Sequence, residues 1–179
     1  MRAAIREGKA QELAAVMASG GLASDRLVNE IVAARLDETD ARSGFLLDGY
    51  PRSMAQGEFL CSWLEARGMR EVVVHLAVGY NIVIARLAGR RECPQCGTVY
   101  HVVSRPPAQP GICDLDGYPL VVRADDTEQA VRERLETYDK ETSPLLGFFR
   151  QRKTLAEIEA DNLPPEAVFE MACRAVRNG

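Results

Sequence analysis

Apolar residues along this 179-residue chain recur at helical spacing in some segments and form short continuous runs in others. Runs at 45–47 and 72–78 are too brief for helices and predict buried strands, and a third, at 154–160, predicts the last strand. Helical spacing predicts six helices. They lie over 5–17, from Ser24 to Leu36, after the turn at 49–52 as far as Gly68, over about 80–89, from Thr127 through Phe149, and after Pro164-Pro165. Strands alternating with helices predict an α/β fold.

The alternation stops between residues 92 and 122. This stretch holds three of the five cysteines and short β-like pieces such as "TVYHVV" and "YPLVV". Such a composition is typical of a small inserted domain with little core of its own. We therefore predict three parts: a partial core with helices over 1–91, an insert over 92–124, and a return to the core over 125–179.

Within the insert, "CPQCG" and "CDLD" are two knuckles in which a two-residue gap separates the candidate ligands. They can place Cys93, Cys96, Cys113 and Asp116 tetrahedrally around zinc, because thiolates bind it well and one carboxylate is tolerated. Asp114 directly follows Cys113, without the gap, and is the poorer fourth ligand. With four protein ligands the site would be structural rather than catalytic. Three free thiols in a loop are the alternative, and the residues do not distinguish zinc from iron.

The stretch "GFLLDGYPRSMAQ", residues 44–56, joins a predicted strand to a tight turn. Asp48 stands where a carboxylate at a strand end helps to hold magnesium in nucleotide-phosphate enzymes, although a strand often simply ends at such a residue. Gly49 and Pro51 predict a rigid turn, which would aim the Arg52 guanidinium at a phosphate.

Arginines supply most of the positive charge, since only Lys9, Lys140 and Lys153 are lysines among the 22 basic residues. Planar guanidinium groups suit phosphates, but an arginine-favouring genome explains the bias equally well. Arg86 and Arg90 are spaced four apart and are predicted to share a helix face, beside Arg91. Arg123 and Arg134 form a further pair, and each group is either an anion site or a solvated surface.

The overall charge narrows the classes of function. A net charge of −4 and a pI near 5.3 argue against nucleic-acid binding. No apolar run approaches the ~18 residues of a membrane span, the first residues do not resemble a signal peptide, and a cytoplasmic location is expected. Gly8-Lys9 is not a Walker A loop, because Ala3 and Ala10 stand where that motif needs a glycine and a hydroxyl.

Taken in order, "GFLLDGYPRSMAQ", "RLAGRRECPQCGTVYH", "PPAQPGICDLDG" and "RADDTEQAVRERLETYDKETSPLL" resemble the adenylate kinases of the zinc-lid bacterial type. The resemblance runs over nearly the whole chain. It implies a P-loop NTPase-like parallel sheet flanked by helices, with a zinc-binding lid. It also implies reversible phosphoryl transfer, ATP + AMP ⇌ 2 ADP, with magnesium accompanying ATP, structural zinc, and a monomeric enzyme of adenine nucleotide homeostasis.

Position by position, the resemblance implies two nucleotide sites. The AMP side would comprise Arg2, Gly21, Leu22, Ala23, Gly49, Tyr50, Pro51, Arg52, Gln56, Arg123 and Arg134. The ATP side would comprise Arg86, Arg90, Val99, Tyr100 and Ala160. The catalytic set would be Asp48, Arg52, Arg86, Arg90, Arg123 and Arg134, with Asp125 and Asp126 helping to seat the lid. Glu159-Ala160 stands where the family usually has Asp-Gly.

One departure from the family pattern changes the expected activity. The family begins with a strand, a glycine-rich phosphate loop, a helix and a second strand, about 30 residues expected before Met1. A start codon placed too late is the favoured explanation, and these 179 residues alone are expected to transfer phosphoryl groups at close to background rate. The alternative is an inactive remnant that binds AMP or serves as a zinc-stabilised interaction module. A zinc-ribbon nucleic-acid binder would leave "DGYPRSMAQ" unexplained.

Overall fold

The computed structural model describes residues 24–161 and 163–178, which form parts of two compact units. The first unit comprises Met1–Val72 and Glu141–Thr154, and the second comprises Val73–Lys140 and Leu155–Gly179. The predicted first helix and four predicted AMP-side residues, Arg2, Gly21, Leu22 and Ala23, lie outside the described residues. The three-part division at 91 and 124 stays a prediction.

Six α-helices, one π-helical turn and four strands follow one another in the described part of the chain. In order they are α1 (Asp25–Leu36), α2 (Met54–Glu65), β1 (Val73–Ala77), α3 (Tyr80–Ala88), β2 (Arg90–Glu92), β3 (Val99–His101), α4 (Glu128–Thr137), the π-helical turn Tyr138–Thr142, α5 (Ser143–Gln151), β4 (Leu155–Glu159) and α6 (Pro165–Asn178). Short 3₁₀ turns lie at Thr39–Ser43 and Ala124–Asp126. None of the described helices is both long and apolar enough to cross a membrane.

Local signals in the sequence set the helix ends of the first unit. The Ser24 hydroxyl accepts a hydrogen bond from the Leu27 N–H at 3.3 Å and begins α1, as predicted. Ser53 caps α2 in the same way, accepting from the Gln56 N–H at 3.3 Å. Gly68, with φ of +64°, lies where the chain leaves α2 in a left-handed conformation that favours glycine.

The core of the first unit lies between α1, α2 and the segment that joins them. Its buried members are Leu36, Tyr50, Leu60 and Leu64, against which Val28, Val32, Phe45, Leu47, Trp63 and Met69 pack. At the contact of α2 with α5, a Cβ on Gly57 would lie only 2.6 Å from Leu145 Cδ2. A larger residue at this position would therefore force the two helices apart.

The predicted buried strand at 45–47 was wrong. Residues 44–47 have no regular secondary structure, no strand among the described residues pairs with them, and Leu46 is 92% exposed. Phe45 and Leu47, on either side of it, pack on the core. Two of the three residues of this apolar run are therefore partly covered, without a strand.

The second unit confirms the predicted α/β character. Strands β1 and β4 pair in parallel with Val73 opposite Leu155 and Ala77 opposite Glu159, and α6 packs against both. Parallel strands need a long crossover connection, and here it carries helices. Strands β2 and β3 form a separate antiparallel pair, with Arg90 opposite His101 and Glu92 opposite Val99.

An arginine ties the end of α5 to the end of α2 within the first unit. Arg152 donates to Glu71 Oε1 from Nε at 2.9 Å and to Glu65 Oε1 from Nη2 at 2.8 Å. The Glu71 side chain is only 10% exposed. Burial alone would raise the pKa of Glu71, but the hydrogen bond and charge of Arg152 outweigh it and hold this pKa below its ordinary value.

We expect Arg152→Met to destabilise the protein by about 1–3 kcal/mol, because it leaves the largely buried Glu71 carboxylate without its cation. Urea denaturation at pH 7 measures this change. The ion pair stabilises the fold only while Glu71 is ionised, and a lowered carboxylate pKa means that this stability is lost as the pH falls. The difference between the two proteins should therefore shrink below about pH 4. A difference that grows on acidification would contradict this assignment.

Candidate functional site

The two predicted knuckles of the insert adopt the same backbone conformation. In the first, the Gly97 N–H donates to the Cys93 carbonyl and the Cys93 N–H to the Thr98 carbonyl, both at 2.9 Å. In the second, the Gly117 N–H donates to the Cys113 carbonyl and the Cys113 N–H to the Tyr118 carbonyl, also both at 2.9 Å. The two glycines have φ of +72° and +71°, a conformation that favours glycine. Equal knuckles facing each other are the usual frame of a metal-binding ribbon.

The knuckles bring the four predicted ligands together. One ligand atom from each of Cys93, Cys96, Cys113 and Asp116 lies within 4.8 Å of all the others. The Sγ atoms of Cys96 and Cys113 are 3.6 Å apart, and Cys93 Sγ lies 3.3 Å from Asp116 Oδ2. Zn–S bonds of ~2.3 Å in a tetrahedron place two sulfurs ~3.8 Å apart, so the donor set fits this ion in type and size.

Hydrogen bonds around the cluster keep the Asp116 carboxylate ionised and hold the buried Tyr100 side chain in place. The Tyr118 N–H donates to Asp116 Oδ1 at 3.0 Å and lowers the pKa of Asp116 to about 2, which keeps this group ionised at neutral pH. Tyr100, predicted on the ATP side, is only 4% exposed, and its hydroxyl accepts from the Asp114 N–H at 2.9 Å. The neighbouring Val99 is exposed. The Tyr100 side chain therefore packs inside the cluster, and Val99 presents its surface to solvent.

The turn after residue 47 orders the predicted AMP-side residues of the first unit. The Arg52 Nε donates to the Gly49 carbonyl at 2.7 Å, and its guanidinium passes so close to Gly49, at φ of +76°, that a Cβ there would lie 2.7 Å from Nη2. Thr142 donates to the Arg52 carbonyl at 2.8 Å. Arg52 and Asp48 are exposed, whereas Tyr50 is buried. The turn thus presents a guanidinium and a carboxylate to solvent from a fixed backbone.

A hydrogen-bond network under this turn contains residues that the sequence did not single out. Gln56 Nε2 donates to Asp25 Oδ1, and the Ser53 hydroxyl donates to Asp25 Oδ2, both at 2.7 Å. The Tyr50 hydroxyl donates to Asn29 Oδ1 at 2.6 Å. Burial, with a smaller effect of the Asp25 charge, raises the pKa of Tyr50 to about 12, so this hydroxyl stays protonated. Asp25 and Asn29 resemble ordinary helix residues in the sequence, which offers no signal for them.

Three of the predicted arginines of the second unit converge on two consecutive acids. Arg90 makes a two-pronged ion pair with Asp126, with Nε 2.7 Å from Oδ2, and the Asp126 side chain is 0% exposed. Arg123 pairs with Asp125 through Nε at 2.9 Å and with Glu92 through Nη1 at 3.3 Å. Arg134 lies 3.8 Å from Asp125 and 4.0 Å from Asp126. Asp125 and Asp126 thus lie beside three of the predicted arginines, and their role in seating the lid stays a prediction.

The prediction that Arg86 and Arg90 share a helix face was wrong. Helix α3 ends at Ala88, and Arg90 begins strand β2. A Cβ on the buried Gly89 would overlap the imidazole ring of His101, and the Val102 N–H donates to the Gly89 carbonyl at 2.9 Å. Helix α3 thus ends two residues before Arg90, and the packing of His101 leaves no room for a side chain at Gly89. Arg86 stays exposed in the last turn of α3, and Ala160 is buried at the end of β4.

Comparison with known proteins gives one consistent result. A family model described as adenylate kinase matches residues 1–154. An adenylate kinase of Moorella thermoacetica is 46% identical over 151 residues, which cover 84% of this chain and 70% of that protein. One from Trichlorobacter lovleyi is 43% identical over 164 residues, covering 88% and 75%. One from Thermoanaerobacter pseudethanolicus is 41% identical over 155 residues, covering 86% and 71%.

Proposed function

The chain belongs to the adenylate kinase family of phosphotransferases, and on that premise we propose that it catalyses ATP + AMP ⇌ 2 ADP. The family match carries this proposal, because it spans both the turn at 48–56 and the arginine cluster around Asp125 and Asp126. Phosphoryl transfer requires positioning and positive charge around the phosphate oxygens more than covalent chemistry. Exposed and ion-paired arginines on fixed backbones supply both.

On the AMP side, we assign Arg52 to the AMP phosphate and Gln56 to the base. The hydrogen bond to the Gly49 carbonyl uses Arg52 Nε and leaves Nη1 and Nη2 for phosphate oxygens. Gly49, Tyr50 and Pro51 would line the adenine pocket. The other members of the proposed AMP set are Arg2, Gly21, Leu22, Ala23, Arg123 and Arg134.

On the ATP side, we assign Arg90, Arg123 and Arg134 to the transferring phosphoryl group, with Arg86 beside the adenine. Asp125 and Glu92 hold the guanidinium of Arg123 in place before any nucleotide binds. The phosphate would then take the place of these carboxylates against a guanidinium that is already positioned. Val99 and Tyr100 would begin the lid strand that covers ATP, the backbone at Ala160 would contact the adenine, and Asp48 would support magnesium. Magnesium bound with ATP would neutralise the charge of the phosphates.

In the insert, we propose that Cys93, Cys96, Cys113 and Asp116 hold a structural zinc ion that shapes a lid over residues 92–124. The tight cluster of three sulfurs and one carboxylate supports it. Zinc would supply binding energy to a segment whose buried cluster holds only Cys93, Tyr100 and Cys113. We further propose that the protein is a monomer and that it is located in the cytoplasm. The second proposal is supported by its five cysteines, none of which forms a disulfide.

A coupled assay for ADP from AMP and MgATP tests the proposed reaction. We expect ADP formation that is slow but measurable above a protein-free control. Arg123→Met should abolish it, because the Arg123 guanidinium would contact the transferring group. ADP formation that is equal in both proteins would contradict the proposal.

A second candidate function is that of an AMP-binding or zinc-stabilised interaction module, which the compact cluster of Cys93, Cys96, Cys113 and Asp116 supports. Calorimetric titration with AMP, run beside the assay, separates the two. Saturable AMP binding with ADP formation indistinguishable from a protein-free control would favour the module.

A further inference from the structure

The network beneath the 48–56 turn fixes which way the side-chain amide of Gln56 points. The Arg52 N–H donates to Gln56 Oε1 at 2.8 Å, and Gln56 Nε2 donates to Asp25 Oδ1 at 2.7 Å. A backbone N–H can only donate, and an ionised carboxylate can only accept. A reversed amide would face donor with donor and acceptor with acceptor, so one orientation is strongly favoured.

Asp25 is itself held in place on its other side. The Ser53 hydroxyl donates to Asp25 Oδ2 at 2.7 Å, and Asp25 lies in the first turn of α1, where a negative charge is stabilised by the helix dipole. Gln56 is 8% exposed, and its backbone carbonyl lies 3.4 Å from the buried Tyr50 hydroxyl. The amide therefore sits in a packed environment in which rotation to another position is costly.

The two bonds leave half of the amide's capacity unused. Nε2 has a second hydrogen and Oε1 a second lone pair. An oxygen acceptor beside a nitrogen donor, in fixed order, matches the edge of adenine, where an amino donor lies next to a ring-nitrogen acceptor. Hypoxanthine and guanine carry a carbonyl oxygen in place of that amino group and would repel Oε1.

We propose that Asp25 is a specificity-determining positioning residue, which selects 6-aminopurine over 6-oxopurine monophosphates by fixing the orientation of the Gln56 amide. The proposal rests on the assignment of Gln56 to the AMP base under the proposed function. Asp25 does not contact the base in this account; it acts through Gln56. Replacing it with asparagine supplies a group that can donate as well as accept. Only the Arg52 N–H then opposes the reversed amide, so the preference between the two purines is weakened.

Equilibrium titration of AMP and IMP into the 179-residue protein and its Asp25→Asn variant tests the proposal. We expect the unmodified protein to bind AMP about 10- to 100-fold more tightly than IMP. In Asp25→Asn this ratio should fall by about threefold or more, through weaker AMP binding together with stronger IMP binding. If the substitution only loosened the site, AMP and IMP would both bind more weakly and the ratio of their affinities would stay the same.

Asp40→Asn is the matched control, since it removes the same charge from an exposed ion pair with Arg35 in the same unit. It should retain the AMP preference in full. Thermal melting of each variant without ligand confirms that it is folded. Ser53→Thr keeps the hydroxyl that donates to Asp25 and should also keep the ratio of AMP to IMP affinity. An unchanged ratio in folded Asp25→Asn would overturn the role of Asp25, whereas failure of the unmodified protein to bind AMP would overturn the proposed AMP site itself.

Discussion

Replacing Cys113 with serine is expected to abolish metal binding and to unfold the segment from residue 92 to 122. Cys113 is buried, its Sγ lies 3.6 Å from that of Cys96, and its carbonyl and N–H form the second knuckle. Structural zinc contributes on the order of 10 kcal/mol to small domains of this kind, far more than the small cluster of the insert can supply. Metal analysis should find about one zinc ion per chain before the substitution and almost none after it.

Hydrogen exchange shows whether the loss stays within the insert. Amides of the two knuckles should exchange much faster in Cys113→Ser, while those of β1 and β4 keep their protection. Cys173→Ser, which removes a thiol from α6, is the control and should change neither metal content nor exchange. A Cys113→Ser protein that retains a full equivalent of zinc would contradict the assignment of this residue as a ligand.

Arg90→Met should have the largest effect on stability among the arginine substitutions. Its guanidinium is the two-pronged partner of Asp126, whose side chain is 0% exposed, and the nearest other cation, Arg134, lies 4.0 Å away from that carboxylate. Removing one member of a buried pair leaves an uncompensated charge, and we expect a loss of about 2–4 kcal/mol. Urea denaturation without nucleotide measures it apart from any effect on catalysis.

Two further variants isolate the ion pair. Arg91→Met removes the neighbouring guanidinium. Among the described residues this group donates to the carbonyls of Ala88 and Arg90, and its loss should cost about 1 kcal/mol or less. Arg90→Met combined with Asp126→Leu removes both charges and should recover most of the lost stability. If Arg90→Met and Arg91→Met destabilise the protein equally, Asp126 does not depend on Arg90.

The features that sequence alone could predict depend on short spacings. The two-residue gap of each knuckle identified all four cluster residues, because the two ligands of one knuckle lie on the same tight turn. The cap at Ser24 and the existence of strands β1 and β4 follow from equally local patterns. Each of these signals lies within a few residues of the structure it specifies.

The features that sequence missed depend on residues far apart in the chain. Asp25 meets Gln56 across 31 positions, and Arg152 meets Glu71 across 81. In the sequence, an aspartate directly after a helix cap indicates a solvent-exposed group that stabilises the helix dipole. Only the packing of α1 against α2 brings Asp25 to the Gln56 amide. The error at Arg90 has the same cause, since the His101 ring against Gly89 is a contact between strands that helical spacing cannot anticipate.

The central claim, that the turn at 48–56 holds the phosphate of AMP, can be tested directly by titrating AMP into Arg52→Met. Arg52 is exposed, and its Nη1 and Nη2 are available, so the substitution should leave the fold intact and remove a charge-assisted contact. We expect AMP to bind about 10- to 100-fold more weakly. Arg26→Met, which removes an arginine whose side chain is 89% exposed from the same unit, should leave AMP affinity unchanged. Equal affinities of Arg52→Met and the unmodified protein would contradict the account.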